Sequence, residues 1–497
     1  MQFIERHFIE ANKLIPLVLG ITHRRYLVDK DAKHTNSEIS EKIKMFLDPL
    51  KPDLKVFIEF PYVDKVYRDS YYNYFSTKYK EYHRDCIRLS FFTADTVEES
   101  FNEETDSILL NKNFCGYCVL RPTFPNVIGR NLISKKALKQ SDIVTCIHHE
   151  TVLVNGFRLD IKGFPHSSQD QESITCAETT IWALMEYFGH KYAEYKPVLP
   201  LTIINKLNEY SDKRMLPSSG LTPEQISFVL KDFGFGTLIY TKEDDKANFF
   251  PNLSVYIESG FPVIVAIESN KHEYGHAILM IGRKSISNSM LVSALNGKKT
   301  PLIPFSSIVK EYVVQDDNLY PYSIIPLNSP GKNYHIDSGF KSFKIKAFVV
   351  PLYKKMYMDV QTARTFFEKI FIDEEYGIRT TIPHIFRMYM ASSRSFKEHI
   401  GKQANMDPVL KQVLLSVAMP RFIWCGEYIN NRDAAKGTVS SLIVLDATAG
   451  TEIWQDSFIF ACHKRRSLFY AAFDHTIRLQ TLRYPFENFE MYNHNLN

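Results

Sequence analysis

The chain reads as an α+β protein, with a helix-then-sheet region between two mixed, strand-containing flanks. Three observations predict this. Apolar residues recur at helical spacing just after Cys176. Continuous apolar runs follow at 261–267 and 277–282, where strands are expected. The segments on either side mix both patterns, with no internal repeat and no low-complexity tract. The expected regions are 1–163 (strand-rich), 164–328 and 329–497 (mixed α/β).

Within the first region, 37–47 predicts a helix, and 56–60, 86–92, 117–120 and 143–148 predict strands. Residues 114–133 read as a strand, a proline-containing loop and a glycine turn. In the middle region a helix opens at Cys176. Ala177, Ile181, Leu184, Met185 and Phe188 form its apolar face, and Gly189 is its expected stop. Two more helices are expected, one over 203–210 and one after Thr222, an N-cap followed by Pro223 at the first helical position. Beyond Gly234 the pattern turns strand-like, with runs at 261–267, 277–282 and 312–314. In the last region 360–371 and 383–400 predict helices. Strands at 421–428 and 441–446 flank a polar turn at 430–437.

Composition narrows the function classes. A length of 497 residues admits about three domains. The formal net charge of +4 is small for this length, so nucleic acid and anionic membrane are not expected as main partners. The basic run from His463 to Arg466 reads as a surface turn. No stretch approaches the ~18 apolar residues of a membrane span. The first residues lack the basic-then-apolar order of a secretory signal. Seven cysteines, an odd and sparse set, favour free thiols in a reducing compartment, the cytoplasm.

The strongest chemical signal is Cys176 at a helix start, preceded by a polar approach containing Gln169 and Gln171, with His276 opening a later apolar strand after Gly275. The first turn of a helix favours a thiolate, and a thiolate with a histidine in reach is a nucleophile. The backbone N–H of Cys176 lies in the first turn and is free to face an oxyanion. Gln169 or Gln171 supplies a second donor. Asp316 and Asp317, at the end of the next strong strand, are the candidates to orient the imidazole, with Asn296 an earlier alternative.

The order Gln, Cys-Ala and Trp182 on a helix, then Gly275-His276 with an apolar strand, then a strand ending in Asp, resembles the papain-like cysteine peptidases. Within them it is most similar to the bacterial double-glycine-leader (bacteriocin-processing) group. The resemblance covers roughly 164–322. It implies a Cys-bearing helix packed on an antiparallel sheet. It also implies a Cys176–His276–Asp316 triad, an oxyanion glutamine, a peptide or protein substrate and no cofactor. At the family's usual glutamine position this chain has Asp170, between the two candidates, and 285–310 reads as an insertion between His and Asp.

Two other motifs compete. Residues 272–276 (HEYGH) match the H-E-x-x-H zinc pattern; no third ligand is marked, and Glu311 is a candidate by position only. That motif needs a helix, and the flanking apolar runs predict strands instead. Cys115 and Cys118 form a C-x-x-C in an extended segment, where alternation turns the two thiols to opposite faces. They read as separate strand cysteines. Arg121, Gly129-Arg130, Glu427 and Asp446 read as structural, with the arginines at solvated strand ends.

Overall fold

The computed structural model describes residues 4–26, 33–101, 107–173, 175–210, 221–269, 275–378, 380–404, 406, 408–463, 467–472, 476–481 and 489–496. The fold is mixed α+β with largely antiparallel sheets. The chain divides into two compact units, each assembled from three stretches. Unit 1 is Met1–Phe233, Ile264–Met280 and Val313–Ala347; unit 2 is Gly234–Val263, Ile281–Tyr312 and Phe348–Asn497. The segment 285–310, read as an insertion, falls in unit 2. The chain thus leaves unit 1 after the His276 strand begins and returns just before Asp316.

Unit 1 opens with an antiparallel sheet. Its strand order is Glu5–Glu10, Lys55–Tyr62, Cys86–Phe92, Phe114–Leu120, Ile128–Ile133, Phe157–His166, His148–Val154. Phe57, Tyr67, Phe92, Phe114, Leu132 and Leu159 are among the buried residues of its core. The single strand expected at 143–148 is instead a short strand, Ile143–Thr145, and the start of His148–Val154. The unit 1 part of a second sheet carries, in order, Ser323–Ile325 and residues 313–315, 275–280, 264–268 and 344–347.

The Cys176–Lys191 helix packs against the Phe157–His166 and His148–Val154 strands and the Pro200–Tyr210 helix. Every residue from 177 to 188 is buried, not only the predicted apolar face. A helix enclosed on all sides is a core element, and its first turn is held in a fixed place. It also runs past Gly189. A Cβ at that position would lie 2.3 Å from the Pro197 nitrogen, so glycine admits the returning chain rather than ending the helix. The Pro223–Asp232 helix has the expected Thr222 cap, reciprocated by Gln225.

Unit 2 holds the third sheet, in the order Leu302–Pro304, His384–Ser392, Phe422–Ile429, Ser441–Asp446, Phe458–His463, Ser467–Ala471, Ile477–Thr481. Residues 383–400, expected as one helix, are the strand His384–Ser392 followed by the helix Ser393–Lys402. The strand is buried along almost its whole length between two neighbours, so its sequence shows no alternation. Ser392 caps the helix through the Ser395 N–H. The polar turn at 430–437 contains a short helix, Asn431–Lys436, capped by Asn430 and ended by Gly437 in the left-handed region. The helix Phe249–Glu258, not expected in the strand-like stretch after Gly234, is largely buried. Arg387 is buried between Glu258 (3.0 Å) and Glu427 (2.9 Å), and Arg283 also pairs with Glu258. The structural reading of Glu427 holds. Asp446 likewise accepts from the Thr448 N–H in its own turn.

Candidate active site

Cys176 is the first residue of its helix and is partly exposed; the other six cysteines are buried. Thr175 caps the helix. The Glu178 carboxylate accepts from the Thr175 N–H (3.3 Å) and hydroxyl (2.5 Å). The Thr180 hydroxyl reaches both the Cys176 carbonyl (2.6 Å) and the carbonyl of Ala277 (3.5 Å). That contact ties the first helical turn to the strand bearing His276.

His276 is buried near the start of Gly275–Lys284, and its ring faces three groups. Nε2 donates to Asp316 Oδ1 at 2.9 Å, and Asp317 Oδ1 stands 3.6 Å from the same nitrogen. The Cys176 side chain is the third, and it helps the ring keep its proton. Because Nε2 is committed to Asp316, Nδ1 is the nitrogen left for the thiol. Burial pushes the imidazole down. The charge and hydrogen bond of Asp316, the Cys176 contact and the Asp317 charge outweigh it and hold the ring well above its ordinary range.

Asp316 follows the strand Tyr312–Gln315. It accepts from the Asn318 N–H (3.1 Å) and from the Tyr334 hydroxyl, which lies 2.9 and 2.8 Å from its two oxygens. Burial favours its neutral form, but His276 and these donors win and keep it below the usual carboxylate range. Its backbone is held as well. Asn131 donates to His166 Nδ1 (3.0 Å), which leaves His166 Nε2–H to donate to the Asp316 carbonyl (3.1 Å). Complete burial lowers His166 to about 4, so that ring is neutral at ordinary pH. Tyr322, at φ 60°, accepts from the Phe164 N–H and donates to the Ile133 carbonyl, both 2.8 Å. The acid loop is thereby pinned to the first sheet. Phe340 stands edge-on to the His276 ring at 5.3 Å and stacks on Tyr334 at 4.9 Å.

Asp317 is the anomaly. It is buried, and neither oxygen accepts a hydrogen bond among the described residues. Desolvation, opposed by His276 but helped by Asp316 and Glu178, raises it to about 7.

The two candidate glutamines separate. Gln169 Nε2 donates to Asn318 Oδ1 at 2.5 Å, beside the acid loop. The Gln171 side-chain Oε1 instead accepts from the Asn126 amide at 3.3 Å in an exposed contact, with φ at 65°. Asp170 shapes the turn between them by accepting from the Glu172 and Ser173 N–H groups and the Ser173 hydroxyl. Asn296 is not among the groups on the His276 ring; it ends the Asn288–Leu295 helix in unit 2.

Of the zinc match, His272 and Glu273 lie outside the described residues, while Gly275 and His276 begin a strand rather than continue a helix. Glu311 pairs with Lys284 at 3.4 Å. Cys115 and Cys118 are separate free thiols in a strand, pointing to the carbonyls of Asn113 and Val119.

Arg121 is not at a solvated strand end. It is buried, and its Nη2 donates to the carbonyls of Ile128 and Ser168 (both 2.9 Å) and Gln169 (3.3 Å). It therefore holds the approach to the Cys176 helix. Arg130 is also largely buried, against Asp64 at 3.0 Å. Both precede or follow turns in the sequence, which marks them as strand ends but not as buried ones. Tyr334, Phe340 and His166 carry no local signal either, because only the tertiary fold brings them to Asp316 and His276. No protein-family model matches the sequence, and no curated protein matches it.

Proposed function

We propose that the chain is a papain-like thiol hydrolase that cleaves a peptide or isopeptide bond through an acyl-enzyme. The observation that carries this is the 2.9 Å hydrogen bond from His276 to Asp316, with the Cys176 side chain, at a helix N-terminus, acting on the same ring. Cys176 attacks the carbonyl, and His276 Nδ1 takes its proton and returns it to the leaving amine. Asp316 holds the ring and stabilises the imidazolium, and Tyr334 and Asn318 hold Asp316. Asp316 is favoured over Asp317 by distance, 2.9 Å against 3.6 Å. The Cys176 N–H and the Gln169 amide are the oxyanion donors. Gln169 is favoured over Gln171 because it lies beside Asn318. Seven unpaired cysteines support a reducing, cytoplasmic setting. Among the described residues no helix is long and apolar enough to cross a membrane. Turnover of a peptide library that disappears in Cys176→Ala and survives a chelator is the expected result. Turnover that persists in Cys176→Ala refutes the reading.

A further inference from the structure

His276, Asp316 and Asp317 present one ligand atom each, all within 4.8 Å of one another, and all three residues are buried. A tetrahedral zinc site with Zn–N and Zn–O bonds near 2.0–2.2 Å has ligand–ligand edges of about 3.3–3.6 Å. Here Nε2 lies 2.9 Å from Asp316 and 3.6 Å from Asp317, two edges close to those of such a site. The independent sign of a ligand is Asp317. Its side chain is only 3% exposed, its Oδ1 is directed at Nε2, and neither oxygen accepts a hydrogen bond among the described residues. A buried carboxylate in that state is costly until a proton or a cation meets it. Asp316, by contrast, already has the outer hydrogen bonds that a metal-binding carboxylate uses, from Tyr334 and the Asn318 N–H.

The geometry points to a Zn²⁺-binding site formed by His276 Nε2, Asp316 and Asp317, which switches off the Cys176–His276 pair. Binding displaces the Nε2 proton to solvent, and the metal takes that nitrogen's lone pair. The neutral ring then carries its proton on Nδ1, facing Cys176, and has no lone pair with which to accept the thiol proton. Asp316 is recruited to the metal and no longer supports an imidazolium. An imidazole with two carboxylates prefers zinc to magnesium. The regulatory half of this inference rests on the proposed thiol chemistry; the binding half does not.

The test is calorimetric titration of the full chain with ZnCl₂ alone, without substrate. One Zn²⁺ is expected to bind the native chain and Cys176→Ala alike, and Asp317→Asn at least about tenfold more weakly. Mg²⁺ is expected to give no binding. Loss of binding in Cys176→Ala would show a Cys–His zinc site instead and overturn the assignment. No binding to the native chain, or unchanged binding in Asp317→Asn, also overturns it. Cobalt substitution of the native chain reads the ligands without any variant. Visible d–d bands with no thiolate charge-transfer band are expected, and such a band contradicts the site. Failure of zinc binding leaves the hydrolase reading standing. Absence of peptide turnover in zinc-free protein defeats the hydrolase reading and leaves the binding result intact.

Discussion

Tyr334→Phe removes one hydroxyl and little else. The hydroxyl lies 2.9 and 2.8 Å from the two oxygens of Asp316, and the ring keeps its stack on Phe340. A hydrogen bond to a charged acceptor is worth about 1.5–3 kcal/mol, which corresponds to roughly 10- to 150-fold if all of it appears at the transition state. Asp316 retains the Asn318 N–H on its carboxylate and His166 on its carbonyl, so the lower end, roughly tenfold, is expected. The readout is the rate of Cys176 alkylation against pH, followed by peptide mass. The rate in Tyr334→Phe should fall, and its pH profile should shift, because the imidazole is less firmly oriented. With a substrate in hand, kcat should fall while KM stays. A purely structural tyrosine would lower the melting temperature and leave both rate and profile as in the native chain. That outcome refutes Tyr334 as a positioning residue.

Other expectations are independent of that one. Asp316→Asn should lower stability most between the carboxylate range and the raised value of His276. The Asp316 contribution is present above its unfolded pKa and lost as pH falls through its depressed folded value. The His276 contribution is complete below about 6.5 and lost as pH rises through its raised value. Denaturant melts of both proteins across pH check this, and a flat difference contradicts it. Arg387→Met leaves Glu258 with Arg283 alone and Glu427 with only neutral donors, at a cost of about 3–5 kcal/mol in unit 2. Unchanged melting would show the pair to be dispensable. Gly189→Ala places a Cβ against Pro197 and should cost about 1–3 kcal/mol, read by the same melts.

The sequence made some of this visible and hid the rest for physical reasons. The Thr222-Pro223 helix start and the Cys86–Phe92 and Ser441–Asp446 strands were legible because capping chemistry and compact apolar runs are local signals. The strand His384–Ser392 was not, because a fully buried strand has no alternation to distinguish it from a helix. Cys176 and His276 each stand at the start of an element, and that local placement is what drew attention to them. Pattern reading sees consecutive regions, whereas unit 1 gathers three separate stretches, with His276 and Asp316 on two of them. The choice between Asp316 and Asp317 turned on side-chain direction after a strand end, which spacing does not encode. Arg121 looked like a strand-end residue because its carbonyl partners at Ser168 and Gln169 are far away in the chain.

The Cys176–His276 pair is tested most directly by the rate at which iodoacetamide alkylates Cys176 near neutral pH. Six of the seven thiols are buried, so Cys176 is the expected site of rapid labelling. Alkylation faster than that of an ordinary free thiol is expected, falling to the ordinary rate in His276→Ala. Labelling of Cys176 at the ordinary rate, unchanged by His276→Ala, would contradict the pairing.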